Sequence, residues 1–465
     1  MRLKNHFWLI VFLPFLLSSC ATYYQNSIRF QQSVLNGDLE GARKALSSDK
    51  SATQRRNQLL YLMNAGWVNH ATGNYSESNI ALNKADNMIE DQVKNLGSEA
   101  LALVTNPMVK PYKAEDFEKV MVNYYKALNY INLRNWEDAL VECRRINIRL
   151  NEINDKYPKN KNRYANDAFA NLMMGLIYET SGDNNNAFIA YRNAYDVYEK
   201  LYTPEFGISP PYQLKMDLLR LAKKLSFVDQ YDFYHNKFGL SLPEENTTDG
   251  EVIFLWQNGF GPVKANNAIS FAVVKGEGGL VTFTNADMGI SFPYYAGTDK
   301  DGNSDLGDLS FTSVAFPKYL VRPPLYTAAT IKSETDSVKL ELAEDVNAIA
   351  LKTLHDRMLR EISNSLLRMA TKKAMEQATR KQNKYAGTLL SIINMATETA
   401  DTRNWQTLPF SISYARLKLP AGKHKLILQA MNQSSSANQQ TIEVEVKPGE
   451  KQFVEFHHLE TLPLR

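Results

Sequence analysis

The segment GTDKDGNSDLGDLS, residues 297–310, sets Asp299, Asp301, Asn303 and Asp305 at alternate positions. Hard carboxylate and amide oxygens spaced in this way can converge on one cation, and Ca²⁺ is the ion such a set would take. Loops of that kind want glycine at the sixth position and an acid at the twelfth, where this chain has Ser304 and Ser310. Asp, Gly and Asn are also the ordinary residues of turns, so a plain loop is the simpler expectation. The other residue types that do chemistry are scattered. Beyond His6, the histidines are His70, His235, His355, His424, His457 and His458, none at a zinc spacing from a cysteine or another histidine. The adjacent His457 and His458 would point to opposite faces of a strand. GEGG at 276–279 lacks the lysine of a phosphate loop and reads as a hairpin turn. There is no G-x-S-x-G elbow, and Cys143 falls mid-helix at a packing position, as a small buried hydrophobe would. These residues give no specific support to an enzyme, a cofactor or a metal beyond the calcium candidate.

The other cysteine follows an apolar segment. Arg2 and Lys4 precede Phe7–Leu17, a run too short, and broken by Pro14, to span a bilayer, so 1–19 reads as a signal peptide. Leu17-Ser18-Ser19-Cys20 then resembles the lipobox of bacterial lipoproteins. That resemblance implies diacylglyceryl transfer to the Cys20 thiol, cleavage before it and acylation of the new terminus. The ordinary alternative is a secretory signal with an unrelated cysteine. At about 0.8 kcal/mol per buried CH₂, two or three acyl chains hold a protein at a membrane permanently. Ala21, where an Asp would resemble an inner-membrane retention signal, favours the outer membrane with the body in the periplasm. With Cys20 lipidated, only Cys143 remains, so no intramolecular disulfide is expected. The 465 residues are 44% hydrophobic and 22% charged with a net charge of +3, which fits two or more globular domains and offers no electrostatic case for nucleic acid.

What positions these residues is, over 20–240, a helical array. AFANLMMGLIYETSGDNNNAFIAYRNAYDVYEK (168–200) places Gly175, Tyr178, Gly182, Ala187, Tyr191 and Ala194 at the spacing of a tetratricopeptide repeat (TPR), which it resembles. Small Gly175 and Ala187 let two helices approach, and Gly182 permits the turn. A second copy carries Gly66, Gly73, Tyr75, Leu82 and Ala85, with Ser78 where the family prefers Ala. A third carries Ala127, Tyr130, Trp136 and Ala139, with Arg134 in place of the turn glycine. Residues 36–46 and 212–238 read as imperfect ends. In TPR proteins the first helices line a concave groove for extended peptides, and the resemblance puts Leu60, Met63, Trp67, His70, Met121, Tyr124, Leu128, Ile131, Phe169, Leu172, Leu176 and Glu179 there. The alternative for such an apolar, aromatic surface is packing within the chain. The Lys, Arg and Asn cluster of carboxylate-clamp TPR domains is missing from it.

From Asp249 the apolar period changes from 3.6 to 2, and 249–465 reads as a β-rich, sandwich-like domain. EVIFLWQNGFGP, AISFAVV and YTAATIKSE are early strands; ISYARLKLPAGKHKLILQAMN and TIEVEVKPGEKQFVEFHHLE are four late ones joined by Pro-Ala-Gly and Pro-Gly turns and a polar loop. LPAGKHKL and VKPGEKQFVEF resemble the closing strands of transthyretin-like or PEGA-like domains. A helical insertion at 343–400 separates the two groups, with one apolar stripe from Val346 to Met369 and a basic surface including Lys352, Arg357, Arg360, Arg368, Lys372 and Lys373. Such a helix covers a sheet, lies on anionic lipid or meets a partner.

The fold expected is therefore α+β and multidomain: a TPR-like solenoid followed by a β-sandwich-like domain with a long helical insertion. The whole arrangement resembles a family of bacterial envelope lipoproteins that join a helical array to a β domain, a resemblance that implies address and architecture only. The function expected is a non-enzymatic, membrane-anchored scaffold that engages envelope proteins through the TPR-like groove. The alternatives are a ligand-binding or hydrolytic β domain positioned by the repeats, and a module that contacts lipid or polysaccharide.

Overall fold

The computed structural model describes residues 27–94, 108, 110–155, 166–243, 249–298, 310–334, 336–382, 400–432 and 437–464. Cys20, Asp299, Asp301, Asn303, Asp305 and the apolar segment 383–399 lie outside the described residues.

The first half is a series of antiparallel helical hairpins. α1 (Ile28–Leu35) pairs with α2 (Leu39–Ser48), α3 (Gln58–Ala71) with α4 (Tyr75–Lys94), and α5 (Asp116–Asn132) with α6 (Trp136–Asp155). α7 (Ala168–Thr180) pairs with α8 (Asn184–Val197), which runs on through a π-turn at Tyr198–Tyr202 into α9 (Thr203–Phe206). The last pair is α10 (Tyr212–Lys224) with α11 (Val228–Phe238). All five hairpins turn alike. Gly37, Gly73, Arg134, Gly182 and Ser226 each stand just past the first helix with φ between 57° and 88°. The next residue's N–H reaches the carbonyl five residues back, at 2.8 Å for Asp38, Asn74, Asn135 and Asp183 and 2.9 Å for Phe227, which closes each helix as a Schellman motif. Arg134, which breaks the repeat pattern in the sequence, thus keeps its geometry.

Inside the hairpins the small residues set the helix spacing. A Cβ on Gly66 would lie 2.4 Å from Leu82 Cδ2, and one on Gly175 would lie 2.2 Å from Tyr191 Cδ1. Glycine is required at these two positions because the facing side chain occupies the space a methyl would need.

Twelve strands among the described residues form three sheets. In the first, β1 (Gly250–Asn258) runs parallel to β12 (Lys451–His458) and antiparallel to β9 (Ser411–Leu419), with β8 (Glu341–Asp345) beyond β9. The second has the order β11 (Ala437–Val446), β10 (Gly422–Asn432), β6 (Tyr326–Lys332), β7 (Ser337–Lys339). These two share a core that includes Val252, Phe254, Leu417, Leu428 and Ala329, and so form the sandwich. The third sheet, β4 (Ile290–Tyr295), β3 (Leu280–Asn285), β2 (Val263–Lys275), β5 (Phe311–Leu320), was not foreseen as a separate unit. GEGG is the hairpin turn between β2 and β3.

Every residue of β1 is buried. Val252, Phe254 and Trp256 enter the sandwich core, while Ile253 and Leu255 join the core that contains the helices. Both faces of this strand are covered, which is why its sequence is a continuous apolar run without alternation.

The helical insertion expected at 343–400 begins later. Residues 343–345 belong to β8, and α12 (Val346–Gln382) starts where the Asp345 carboxylate accepts the Ala348 N–H at 2.7 Å and caps it. α12 lies against β5, with Ser365 Oγ donating to the Ala315 carbonyl at 3.4 Å. Its basic side is in part engaged: Lys352 pairs with Glu205 at 3.1 Å, and Arg357 pairs with Glu115. ISYARLKL and KHKLILQAM sit in different sheets, so the Pro-Ala-Gly turn carries the chain across the sandwich.

Candidate functional site

The expected groove is the place where the array meets the first sheet. Leu60, Met63, Trp67, His70, Met121, Tyr124, Leu128, Ile131, Phe169, Leu172, Leu176 and Glu179 are all buried. In place of an open peptide groove, the structure has an internal interface. Trp67 meets Phe260 and His457 edge-on, with ring centroids 6.2 and 6.0 Å apart. Tyr125 donates to Gln257 Oε1 at 2.8 Å. His70 bonds to Asn129 Oδ1 at 2.7 Å and pairs with Glu455 at 3.2 Å, and Asn132 donates to the same carboxylate at 2.9 Å. The physical reason is that a largely apolar, aromatic surface of this size is costly to leave wet, and β1 and β12 offer it a matching face.

Several polar groups at this interface are paired across it. Burial opposes charge on His70, yet Glu455 outweighs that and raises its pKa. His457, half-buried and donating to the Gly259 carbonyl at 2.7 Å, is pushed down to about 4 by desolvation and stays neutral. His458 points the other way, its Nδ1 accepting from Trp256 Nε1 at 2.8 Å.

Arg416, on β9, is the centre of a buried ion cluster. It reaches Glu179 through both nitrogens, at 3.2 and 3.0 Å, and Glu251 at 2.9 Å, and lies 3.4 Å from Asp217. Arg220 adds a contact to Glu179 at 2.7 Å and Lys451 one at 3.6 Å, so three cations face three carboxylates. Tyr191, whose ring is the one pressed on Gly175, donates to Glu179 at 2.9 Å. Burial alone would raise the Glu179 pKa, but Arg416 and Arg220 hold it well below the carboxylate range. At Asp217 burial prevails over the same two arginines and raises it.

A second cluster fixes α12 and the third sheet to α5. Glu115 and Glu118 form the capping box of α5. Glu115 also pairs with Lys264 of β2 and Arg357 of α12, which overcome burial and hold it at about 2. Glu118 bonds with Tyr112 and accepts the Trp405 N–H at 2.6 Å; burial and the neighbouring Glu115 raise its pKa.

The chemistry of these groups is recognition within the chain. Among the described residues there is no group of three or more His, Cys, Asp and Glu that could hold a metal. Cys143 is buried and its thiol is pushed up by burial, as a packing residue. Among the described residues no helix is long and apolar enough to cross a membrane. Sequence reasoning named Glu179 and His70 but not their partners Arg416 and Glu455. The signal was present in part: Arg416 and Lys418 are the two charges of ISYARLKL, and Glu455 is the one charge of QFVEF.

No protein-family profile matches the sequence, and no curated protein matches it. Solved structures that align with part of the chain are helical-repeat proteins of TPR type. MamA is 14% identical, over 47% of this chain and 96% of its own, with a TM-score of 0.28. The apo form of RapI is 14% identical over 46% and 68%, with a TM-score of 0.33. NprR in complex with its cognate peptide NprX is 15% identical over 50% and 73%, with a TM-score of 0.19. These likenesses extend over about half of the chain, and the repeat character of the array rests on its own hairpins and turns.

Proposed function

We infer that this protein is a lipid-anchored scaffold of the bacterial envelope. Cys20 tethers it to the periplasmic leaflet of the outer membrane, and the body takes protein partners in the assembly or regulation of an envelope complex. The observation that carries the reading is that the array's inner surface is already filled by the chain's own first sheet, through Trp67, His70 and Glu179. The two halves thereby form one stiff body, and the surfaces free for partners are the outer helices. Ile80, Ile148 and Ile189, on α4, α6 and α8, are 57%, 56% and 44% exposed there.

Two measurements test this. Cys20→Ala should release the protein from membranes on fractionation; unchanged retention removes the anchor. Photocrosslinking groups placed at Ile80, Ile148 and Ile189 in living cells should capture a defined protein, and one at Trp67 should capture none. Silence at all three outer positions sinks the scaffold reading, and capture at Trp67 would mean that the sheet lifts off the array to admit a partner.

A further inference from the structure

Beyond the outer helices, the β domain leaves open a surface of another kind, the free edge of a sheet. Unpaired N–H and C=O groups on an edge strand invite another strand, and folded chains blunt such edges with proline, bulges, short strands or a cover. Of the six sheet edges among the described residues, five are blunted. β7 is three residues long. β4 carries Pro293, and β5 carries Pro317 and lies against α12. β8 is bulged between Leu342 and Glu344 and held by the helices, Tyr198 donating to the Ala343 carbonyl at 2.8 Å. The α5–α6 turn lies along β12, where Asn132 reaches Glu455, Arg134 reaches Glu450 at 2.7 Å and Trp136 meets Phe453. β11 is the sixth edge. Its ten residues pair with β10 without a break in register, include no proline, and expose alternate side chains from Ala437 to Glu445. Among the described residues, no hydrogen bond is made along its outer edge.

The side chains beside this edge say what it takes. On the outer face of the sheet Glu443 and Glu445 stand two residues apart, both exposed. Lys425 comes within 3.8 Å of Glu443 from the β10 side, the two side chains 70% and 78% exposed, and Glu445 has no ion pair among the described residues. On the inner face, Ile442 and, on β12, Val454 and Phe456 are half-buried members of the sandwich core. We propose that the β11 edge is a docking site for an extended segment of a partner protein in which Lys or Arg alternates with an apolar residue, added to the sheet as a further strand. Successive side chains of such a strand point to opposite faces, so its cations fall beside Glu443 and Glu445 while its apolar residues cover Ile442, Val454 and Phe456. The backbone ladder supplies affinity and the alternation selects the segment. A second copy of β11 is the poorer occupant, because ANQQTIEVEV has no cation to set beside the two glutamates. This names the chemistry of one partner and so rests on the scaffold role inferred above; the edge itself depends on neither the anchor nor the outer helices.

Fluorescence anisotropy of labelled peptides mixed with the full chain tests the proposal. The peptide Lys-Val-Lys-Val-Lys-Val-Lys should bind, and Glu-Val-Glu-Val-Glu-Val-Glu should not. Lys-Pro-Lys-Pro-Lys-Pro-Lys has the same charge but lacks the N–H groups of a ladder, and should bind at least about tenfold more weakly. Equal affinity would reduce the contact to charge and overturn the proposal. At unchanged thermal stability, Glu443→Lys with Glu445→Lys should weaken the Lys-Val peptide at least about tenfold, and Glu443→Gln with Glu445→Gln about threefold. Full affinity in both double variants overturns it. An isotope-labelled carbonyl in the bound Lys-Val peptide should show the infrared band of a β ladder, and the band of an unordered chain overturns it. Oxidative dimerisation of a Thr441→Cys chain above the level of Lys425→Cys would give the edge to a second copy and overturn the choice of occupant. Absence of Lys-Val binding with photocrosslinking at Ile80, Ile148 and Ile189 intact removes the edge and spares the scaffold reading; binding with all three silent keeps the edge and removes the outer helices as the partner surface.

Discussion

Arg416, midway along β9, and Glu179, at the end of α7, form a bidentate pair at 3.0 and 3.2 Å with side chains 2% and 0% exposed. One belongs to the sandwich and the other to the array, so this pair is where the halves of the chain are locked in register. Removing one member of a buried pair strands the other charge. Arg416→Met should therefore destabilise by about 3–5 kcal/mol, read by urea unfolding followed by tryptophan fluorescence. A loss below roughly 1 kcal/mol would mean that Arg220 and Lys451 suffice for the carboxylates.

The same cluster holds Tyr191 in place, which makes Gly175 unforgiving. Tyr191 cannot swing from a new methyl without leaving Glu179 and Arg416, to which its hydroxyl is bonded at 2.9 and 3.0 Å. Gly175→Ala should cost about 2–3 kcal/mol by overpacking. Gly182→Ala meets nothing within 4 Å and carries only the strain of φ +88°, about 1 kcal/mol. Equal losses in thermal melts of the two variants would contradict this account of the repeat.

Trp67→Ala distinguishes an internal interface from an open groove. Deleting a large side chain 1% exposed should cost about 3–5 kcal/mol, whereas a groove residue facing water would cost little. A near-neutral Trp67→Ala would restore the peptide groove.

Two groups give opposite pH dependences. His457 falls from 6.5 to about 4 on folding, so its contribution is present above 6.5 and is lost as pH falls through about 4. Asp345 rises from 3.8 to about 6, chiefly through burial, so its contribution is present below 3.8 and is lost as pH rises through about 6. Asp345→Asn keeps the cap of α12 and should raise stability at pH 7, by about 3 kcal/mol at most. His457→Gln should flatten the loss between pH 6.5 and 4. Unfolding free energies across pH 4–8 that move in the reverse directions would refute both assignments.

Local features were readable where one residue decides them. Gly182 announces a left-handed turn and Gly175 a close approach, so the hairpins followed from spacing. Arg134 and Ser226 take the same turn because the flanking helices over-determine it, which no propensity predicts. The burial of the groove was not legible, because Trp67 and Tyr124 have the same sequence signature whether a peptide or the chain's own sheet covers them. The ion cluster was half-legible: Arg416 in the largely apolar ISYARLKL signals a buried partner, but Lys418 in the same strand carries the same signal and Glu179 lies 237 residues away. Pairing order was hidden for a like reason, since consecutive strands β9 and β10 differ in sheet while Glu251 pairs with Lys451.

That parallel pairing of β1 with β12 has a consequence for how the chain is made. The strand that opens the β domain gains its outer neighbour only when residues 451–458 have been synthesised. Synthesis runs from the N-terminus, so the helical hairpins can form early while their aromatic inner surface waits without a cover. Throughout that interval Trp67 and its neighbours, buried in the folded chain, are an uncovered apolar surface on which the nascent protein can aggregate. A truncation that removes only β12 would leave this vulnerability permanent, although it touches none of the repeats.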